Sequence, residues 1–262
     1  MQKKEKPTDK YLLDSLSRAL NTLEYIAENS YSTLTQISQA TGDNKTVLYR
    51  QLYTMQKHGF VDKTNAGAYV LGHRLVFLGQ SALKQNILHQ QVKGVLQALT
   101  NQFNETSHLG VLNDSSQVLI VSKVNSEASI QMTSEMGRTL NAYCSAMGKV
   151  LLAFSSADFL NRYFSVQPIT RHTPNTLTSR EELVKEFEEI SQNGYAFDNQ
   201  ESEEGLFCVA VPVRNRVGRV YAAVSLSGPS SRMQTKTEEI IKALKEAALK
   251  IPKLTDSLNM NK

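Results

Sequence analysis

The sequence has no apolar run near the roughly 20 residues that a helix needs to span a bilayer. Its beginning, MQKKEKPTDKYLLDSL, lacks the apolar core of a secretory signal peptide and is typical of a short, basic, mobile tail. We therefore expect neither a membrane anchor nor a membrane partner. These absences favour a cytoplasmic protein.

Cysteine is scarce, since Cys144 and Cys208 are the 2 cysteines of a chain of 262 residues. They lie far apart and form neither the spacing of a metal site nor a disulfide framework. We predict no metal site and no cofactor. In a reducing compartment both thiols are expected to serve as small apolar side chains.

A phosphate-binding loop is also missing. Residues 141–154, NAYCSAMGKVLLAF, contain a Gly-Lys pair at Gly148 and Lys149. A Walker-type loop needs a glycine five positions before that pair and a serine or threonine directly after it. Those positions are Tyr143 and Val150, so nucleotide binding is not expected. Lys149 itself is predicted to lie on a helix surface.

Composition and charge fit an ordinary globular protein, with 40% hydrophobic residues, 21% charged residues and a net charge of +4. The length allows one large or two small domains. Residues 1–80 carry 10 Lys or Arg against 7 Asp or Glu, whereas the remainder is nearly balanced. This asymmetry alone is too small to establish nucleic-acid binding.

The N-terminal quarter predicts three short helices followed by a hairpin. The first helix, capped by Ser15 or Ser17, would place five apolar residues on one face: Leu16, Ala19, Leu20, Leu23 and Ile26. Gly42 would end the second helix, and Asp43 or Asn44 would cap the third. Two β-rich runs around residues 65–67 complete the pattern. This order is typical of a winged helix-turn-helix, which we assign to residues 12–74 with the helix-turn-helix at about 34–53.

The third helix would expose a face suited to the major groove of double-stranded DNA. Two cations, a hydroxyl and an aromatic donor lie near its start at Lys45, Thr46, Tyr49 and Arg50. Lys63 in the hairpin is a candidate phosphate contact. The alternatives are an ordinary solvated helix face and, for Arg50, packing or a local salt bridge.

The rest of the chain predicts a connector helix at residues 75–88 and a larger α+β domain at residues 89–258. Its expected parts are a packing helix around Val92, a strand pair at 107–125, an extended piece at 129–140, a helix at 178–195, strands at 206–215 and 219–228, and a final helix at about 236–251. We expect an antiparallel sheet flanked by helices.

Three segments in this order resemble the IclR family of bacterial transcriptional regulators: AYCSAMGKVLLA, GYAFDNQESEEGLFCVAVPV and GRVYAAVSLSGPSSRM. The resemblance covers about residues 12–258. It implies a DNA-binding domain joined by a helix to a GAF-like effector domain, assembled as a homodimer or a dimer of dimers. Two copies would read an inverted repeat.

The resemblance also implies a small-molecule pocket beside the helix that contains Gly148 and Lys149. Matching by motif gives eight candidate ligand contacts: Leu140, Ala146, Met147, Asp198, Leu206, Cys208, Ser225 and Ser227. Backbone N–H groups at a helix start favour a carboxylate, and serine hydroxyls can complete its hydrogen bonds. The alternatives are core positions for Met147, Leu206 and Cys208, and a turn cap for Asp198. The long side chain of Met147 would shrink the cavity or adapt it to another ligand.

The sequence therefore predicts a DNA-binding regulator, with a repressor favoured, whose operator binding responds to a small organic acid or aromatic metabolite. One alternative is a regulator without a ligand, in which the larger domain only oligomerises. The other is an enzyme that uses the cavity. No nucleophile, base and orienting group share a motif, so no catalytic residue is predicted. The histidines, including His108 and His172, are expected to be surface or core residues.

Overall fold

The computed structural model describes residues 11–85, 87–132 and 135–259. The chain divides into two compact units, Met1–Gln85 and Asn86–Lys262, which are described separately. No helix in these described ranges is long and apolar enough to cross a membrane.

The first unit consists of α1 (Asp14–Glu28), α2 (Leu34–Thr41), α3 (Lys45–Lys57), the antiparallel strands β1 (Val61–Lys63) and β2 (Tyr69–Leu71), and α4 (His73–Gln85). A capping box between Thr33 and Gln36 begins α2. Gly42, with φ of 73°, ends it in the left-handed conformation that glycine adopts without strain. The Asn44 side chain then caps α3.

The core of this unit lies between the three helices and the hairpin, and contains Ile26, Ile37, Leu48, Leu52, Met55, Val61 and Tyr69. These side chains come from every predicted element, which is the arrangement of a winged helix-turn-helix. The predicted fold of this part of the chain is confirmed.

Two expectations about α1 were wrong. The helix begins at Asp14 after Leu13, without a side-chain cap, so neither Ser15 nor Ser17 caps it. Leu16 and Leu20 are 55% and 51% exposed, although they share the apolar face. Periodicity identifies a helix but cannot tell which of its turns the tertiary structure covers.

The second unit contains α5 (Ile87–Phe103), β3 (Thr106–Leu112), β4 (Val118–Val124), β5 (Thr139–Leu140), α6 (Ala146–Ala153), α7 (Ala157–Val166), α8 (Arg180–Asn193), β6 (Ala196–Asn199), β7 (Leu206–Arg214), β8 (Val220–Pro229), α9 (Ser230–Met233) and α10 (Thr237–Asn259). The strands form one antiparallel sheet in the order β5-β4-β3-β8-β7-β6.

Helices cover both faces of this sheet. Alternate residues of β7 separate the two layers: Val209 and Val211 pack with α5 and α10, whereas Cys208 and Ala210 pack with α6 and α8. Apolar or small residues therefore occupy both sides of the strand, as expected for a sheet buried on two faces. The predicted α+β class is confirmed, while the finer GAF-like assignment stays a prediction.

Element bounds differ from expectation in three places. The extended piece at 129–140 pairs with the sheet only at Thr139–Leu140, and residues 133 and 134 of it lie outside the described residues. The final helix continues to Asn259. The helix α4 ends at Gln85, and Asn86, within the predicted connector, also lies outside the described residues. The proposed domain boundaries and connector stay predictions.

Candidate functional site

The outer face of α3 is a candidate DNA interface. Lys45, Thr46, Tyr49 and Arg50 are all exposed, as predicted. The Lys45 Nζ donates to Thr35 Oγ1 at 3.0 Å, and the Thr46 N–H donates to the Asn44 side chain at 2.8 Å. These contacts hold the start of α3 while leaving its side chains at the surface.

Arg50 has no ion pair with any residue in the described part of the chain. The local salt bridge considered from the sequence is therefore absent there, and the guanidinium group is available for a ligand. Tyr49 stacks on Tyr53 with ring centroids 6.3 Å apart. Lys63 lies on β1, with its Nζ 5.4 Å from the centroid of the Tyr69 ring. The five candidate DNA contacts thus lie on α3 and the hairpin.

The second unit contains a cavity of about 610 Å³. All eight residues matched by motif line it: Leu140, Ala146, Met147, Asp198, Leu206, Cys208, Ser225 and Ser227. A volume of this size falls within the range of small-molecule sites. The structure brings these residues together from β5, α6, β6, β7 and β8.

Strand register explains how the sheet builds the cavity floor. His108 on β3 lies directly opposite Ser225 on β8. Ser227 lies opposite Cys208 on β7, which lies opposite Asp198 on β6. Opposed residues of antiparallel strands share a face, so these five side chains form a continuous polar and thiol surface.

The start of α6 forms another wall through Ser145, Ala146 and Met147. The Ser145 Oγ donates to the Asn141 carbonyl at 2.8 Å rather than capping the helix. N–H groups in the first turn of a helix lack partners within the helix and favour an anion. This wall can therefore accept a carboxylate.

Gly148 allows α6 to lie against the preceding segment. A Cβ at this position would be 2.3 Å from both the Cα and the carbonyl oxygen of Ala142. Only glycine fits so close a backbone approach. The glycine of the Gly-Lys pair therefore has a packing role.

Met147 is both a core residue and a cavity residue. It is 4% exposed, and its Sδ would be 3.0 Å from a Cβ built on Gly110 of β3. The absence of a side chain at Gly110 makes room for the thioether on the sheet. Met147 occupies space as expected, but a sizeable cavity remains beside it.

Asp198 and Cys208 have structural partners as well as cavity positions. The Asp198 carboxylate accepts from the Glu201 N–H at 2.8 Å and from the Ser202 hydroxyl, so it caps the turn after β6. Burial raises the pKa of Asp198. Burial also raises the pKa of the Cys208 thiol well above its usual range, which makes it a poor nucleophile.

Lys149 corrects the sequence prediction most clearly. It is 1% exposed rather than at the surface, and its Nζ lies 2.8 Å from Glu186 Oε1 and 2.6 Å from Glu201 Oε1. Burial acts to lower its pKa, but Glu201 and Glu186 outweigh burial and raise it. Lys149 is therefore a buried cation that ties α6 to α8 and to the turn after β6.

The comparisons with known proteins agree with this architecture. Residues 80–253 match the family model for the bacterial transcriptional regulator IclR C-terminal domain, and residues 15–64 match the IclR helix-turn-helix domain. The chain belongs to the IclR family. It is a DNA-binding transcriptional regulator, and its relatives are regulators rather than enzymes.

Several family members are similar over nearly their whole length. The regulator XynR of Escherichia coli is 36% identical, covering 85% of this chain and 88% of its own. The regulator KdgR of the same organism is 33% identical, with 91% of each chain covered. An IclR regulator structure from Alicyclobacillus acidocaldarius has a TM-score of 0.84 at 28% identity, covering 93% of this chain and 99% of that one.

Sequence reasoning missed several residues that line the cavity, among them His108 and His172. Burial lowers the pKa of His108 to about 3, and Lys123 acts in the same direction. The His172 Nε2 lies 2.9 Å from the Tyr143 hydroxyl. No local sequence signal marks His108, because it reaches the cavity through the pairing of β3 with β8, which places it opposite Ser225. Among the described residues no group of histidine, cysteine and acidic side chains could hold a metal ion.

Proposed function

We propose that the protein is a cytoplasmic repressor that binds an inverted repeat in double-stranded operator DNA as a homodimer or a dimer of dimers. Lys45, Thr46, Tyr49 and Arg50 contact the major groove, and Lys63 contacts a phosphate. One recognition helix reads too few base pairs for operator-level affinity, so two half-sites are needed. The exposed face of α3 and the unpaired Arg50 guanidinium group among the described residues support this assignment.

The proposed organisation has three parts. Residues 12–74 form the DNA-binding domain, residues 75–88 form a connector helix, and residues 89–258 form a GAF-like effector-binding domain. The two compact units and the two family-model matches support a division near the connector.

The larger domain binds a small organic acid or an aromatic metabolite that modulates operator binding. The observation that supports ligand binding most strongly concerns Ser225. The Ser225 side-chain oxygen is buried in the cavity wall and has no hydrogen bond to any described residue. Buried polar groups in folded proteins nearly always have a partner, and an effector can supply one.

In the proposed complex a carboxylate lies against the first turn of α6, where Ala146 and Met147 line the cavity. Serine hydroxyls add hydrogen bonds, and apolar side chains enclose the carbon skeleton. The proposed contacts are the motif residues Leu140, Ala146, Met147, Asp198, Leu206, Cys208, Ser225 and Ser227.

The full-length protein tests this function directly. Footprinting on selected DNA fragments should show an inverted repeat protected on one face of the duplex. A thermal-shift screen of organic and aromatic acids should identify a compound that stabilises the protein and changes its operator affinity. Operator binding without any stabilising compound would favour the alternative in which the larger domain serves only oligomerisation.

A further inference from the structure

The outer side of α3 carries two tyrosines whose rings form one exposed surface. Tyr49 and Tyr53 are each 51% exposed. Their rings are stacked, with centroids 6.3 Å apart and ring planes inclined by 27°. Aromatic rings bring a large apolar area to a contact, so the pair adds an apolar surface to a helix face that otherwise offers polar and charged groups.

A lysine holds this pair in place. The Lys57 Nζ lies 5.3 Å from the centroid of the Tyr53 ring, within the range of a cation–π interaction. Tyr49, Tyr53 and Lys57 are spaced by four residues, so each is a neighbour of the next along the helix. Because the rings are ordered before a partner binds, little side-chain entropy is lost on binding.

The tyrosine pair is continuous with the DNA interface proposed above. Thr46, Arg50, Tyr53 and Lys57 follow one another at steps of four, three and four residues, a spacing that places them on one face of a helix. This face is opposite to the buried side chains of α3. The Tyr53 ring therefore faces the same groove as Arg50 and meets the neighbouring base pair.

The base edges in the major groove contain one apolar group, the C5-methyl of thymine. The other groups on those edges are hydrogen-bond donors and acceptors. A ring surface that covers a donor or an acceptor leaves it without water and without a partner, which opposes binding. Stacked rings beside Arg50 therefore match a thymine methyl group and disfavour the other bases.

We propose that the stacked rings of Tyr49 and Tyr53 recognise the C5-methyl group of a thymine in each operator half-site, beside the base pair that Arg50 contacts. This inference rests on the proposed DNA interface and deepens it, because it adds Tyr53 as a residue that determines sequence specificity. Lys57 acts as a positioning residue for the Tyr53 ring.

Replacement of thymine by deoxyuridine tests this contact, because it removes the methyl group and keeps the base pairing. A duplex selected from a random pool by the full-length protein supplies the operator. Each thymine is then replaced in turn, together with its symmetry mate, and dissociation constants are measured by fluorescence anisotropy at constant salt. Burial of one methyl group changes a binding constant by about fourfold, so one such pair of replacements should weaken wild-type binding by about fifteenfold.

Variants of α3 assign the methyl effect to the rings. Tyr49→Ala and Tyr53→Ala should each lower the ratio between the two duplexes to below about fourfold. Tyr53→Phe should keep the wild-type ratio, because the contact uses the ring and not the hydroxyl group. Thr54→Ala is the matched control. Thr54 is also exposed and its hydroxyl donates to the Arg50 carbonyl within the helix, but it points about 100° away from Tyr53 around the axis, so this variant should keep the ratio.

The outcomes separate this inference from the proposed function. A selected half-site without thymine, or a wild-type ratio below about fourfold at every thymine, would overturn methyl recognition and leave the DNA interface standing. A ratio that stays above about fourfold in either alanine variant, or that is lost in Tyr53→Phe, would also overturn it. Failure of the wild-type protein to select any shared sequence would remove the proposed operator binding and the thymine contact together.

Discussion

Replacement of Lys149 by methionine should destabilise the larger unit severely. The substitution keeps the length and apolar character of the stem but removes the ammonium group. Glu186 is 29% exposed and can reach water, whereas Glu201 is 7% exposed and cannot. Leaving one partner of a buried pair without its counter-charge costs about 3–5 kcal/mol. For a unit of this size that loss lowers Tm by about 6–20 °C.

The pH dependence of this loss follows from Glu201. Burial raises its pKa from 4.5 to about 7, and Lys149 opposes that rise. A raised carboxyl pKa gives stability that is complete below about pH 4.5 and disappears as the pH rises through the folded-state value. Removing Lys149 raises the pKa of Glu201 further, so the variant should be weakest relative to wild type near pH 8 and closer to it near pH 5.

Urea denaturation followed by circular dichroism at pH 5 and pH 8 measures this effect. Lys185→Met is the matched control, because Lys185 is exposed on α8 beside Glu186 and should change stability by less than about 0.5 kcal/mol. Adding Glu201→Gln to Lys149→Met should recover part of the loss by removing the buried charge. A loss below about 1 kcal/mol at pH 8 would refute this account of Lys149.

The remaining predictions concern the α6 turn and the DNA interface. Gly148→Ala places a Cβ 2.3 Å from backbone atoms of Ala142 and should lower Tm by well over 5 °C or prevent folding. Gly94→Ala lies on the exposed side of α5 with nothing within 4 Å of its Cβ, so it should instead stabilise the protein by about 0.5–1 kcal/mol. Equal Tm values for the two variants in thermal melts would contradict this reasoning. Arg50→Ala should weaken operator binding by about 1–3 kcal/mol and relax the preference at one base pair. Lys45→Ala should weaken all DNA sequences alike and lower the salt slope by about one; unchanged operator affinity in both variants would show that another face reads the DNA.

The parts of the fold with local signals were predictable from the sequence. The N-cap at Asn44 and the helix end at Gly42 have the predicted place, and a capping box of Ser179 with Glu182 begins the helix that was predicted at 178–195. Each depends on residues within a few positions of one another, so the sequence pattern contains the whole interaction.

The environment of Lys149 depends on partners far away in the chain. Glu186 and Glu201 follow it by 37 and 52 positions, and each reaches it only after α8 and the turn beyond β6 have packed. Local apolar spacing contains no information about such a pair. The same limit applies to His108, which becomes a cavity residue only because β3 pairs with β8. Motif matching found the cavity residues on β7 and β8, but the matched motifs include no residue of the neighbouring strand β3.

The central claim is that occupancy of the cavity changes operator binding. It is tested by measuring operator affinity with and without the effector for wild type and for Ser225→Ala combined with Ser227→Ala. The control is Ser122→Ala, because the Ser122 side chain is also buried but lies on β4 and does not line the cavity. Coupling free energies between two sites are typically about 1–3 kcal/mol, so wild type and control should change affinity by roughly 5- to 150-fold. The double variant should bind the operator like ligand-free wild type and show no response. A double variant that responds as fully as wild type would contradict the claim.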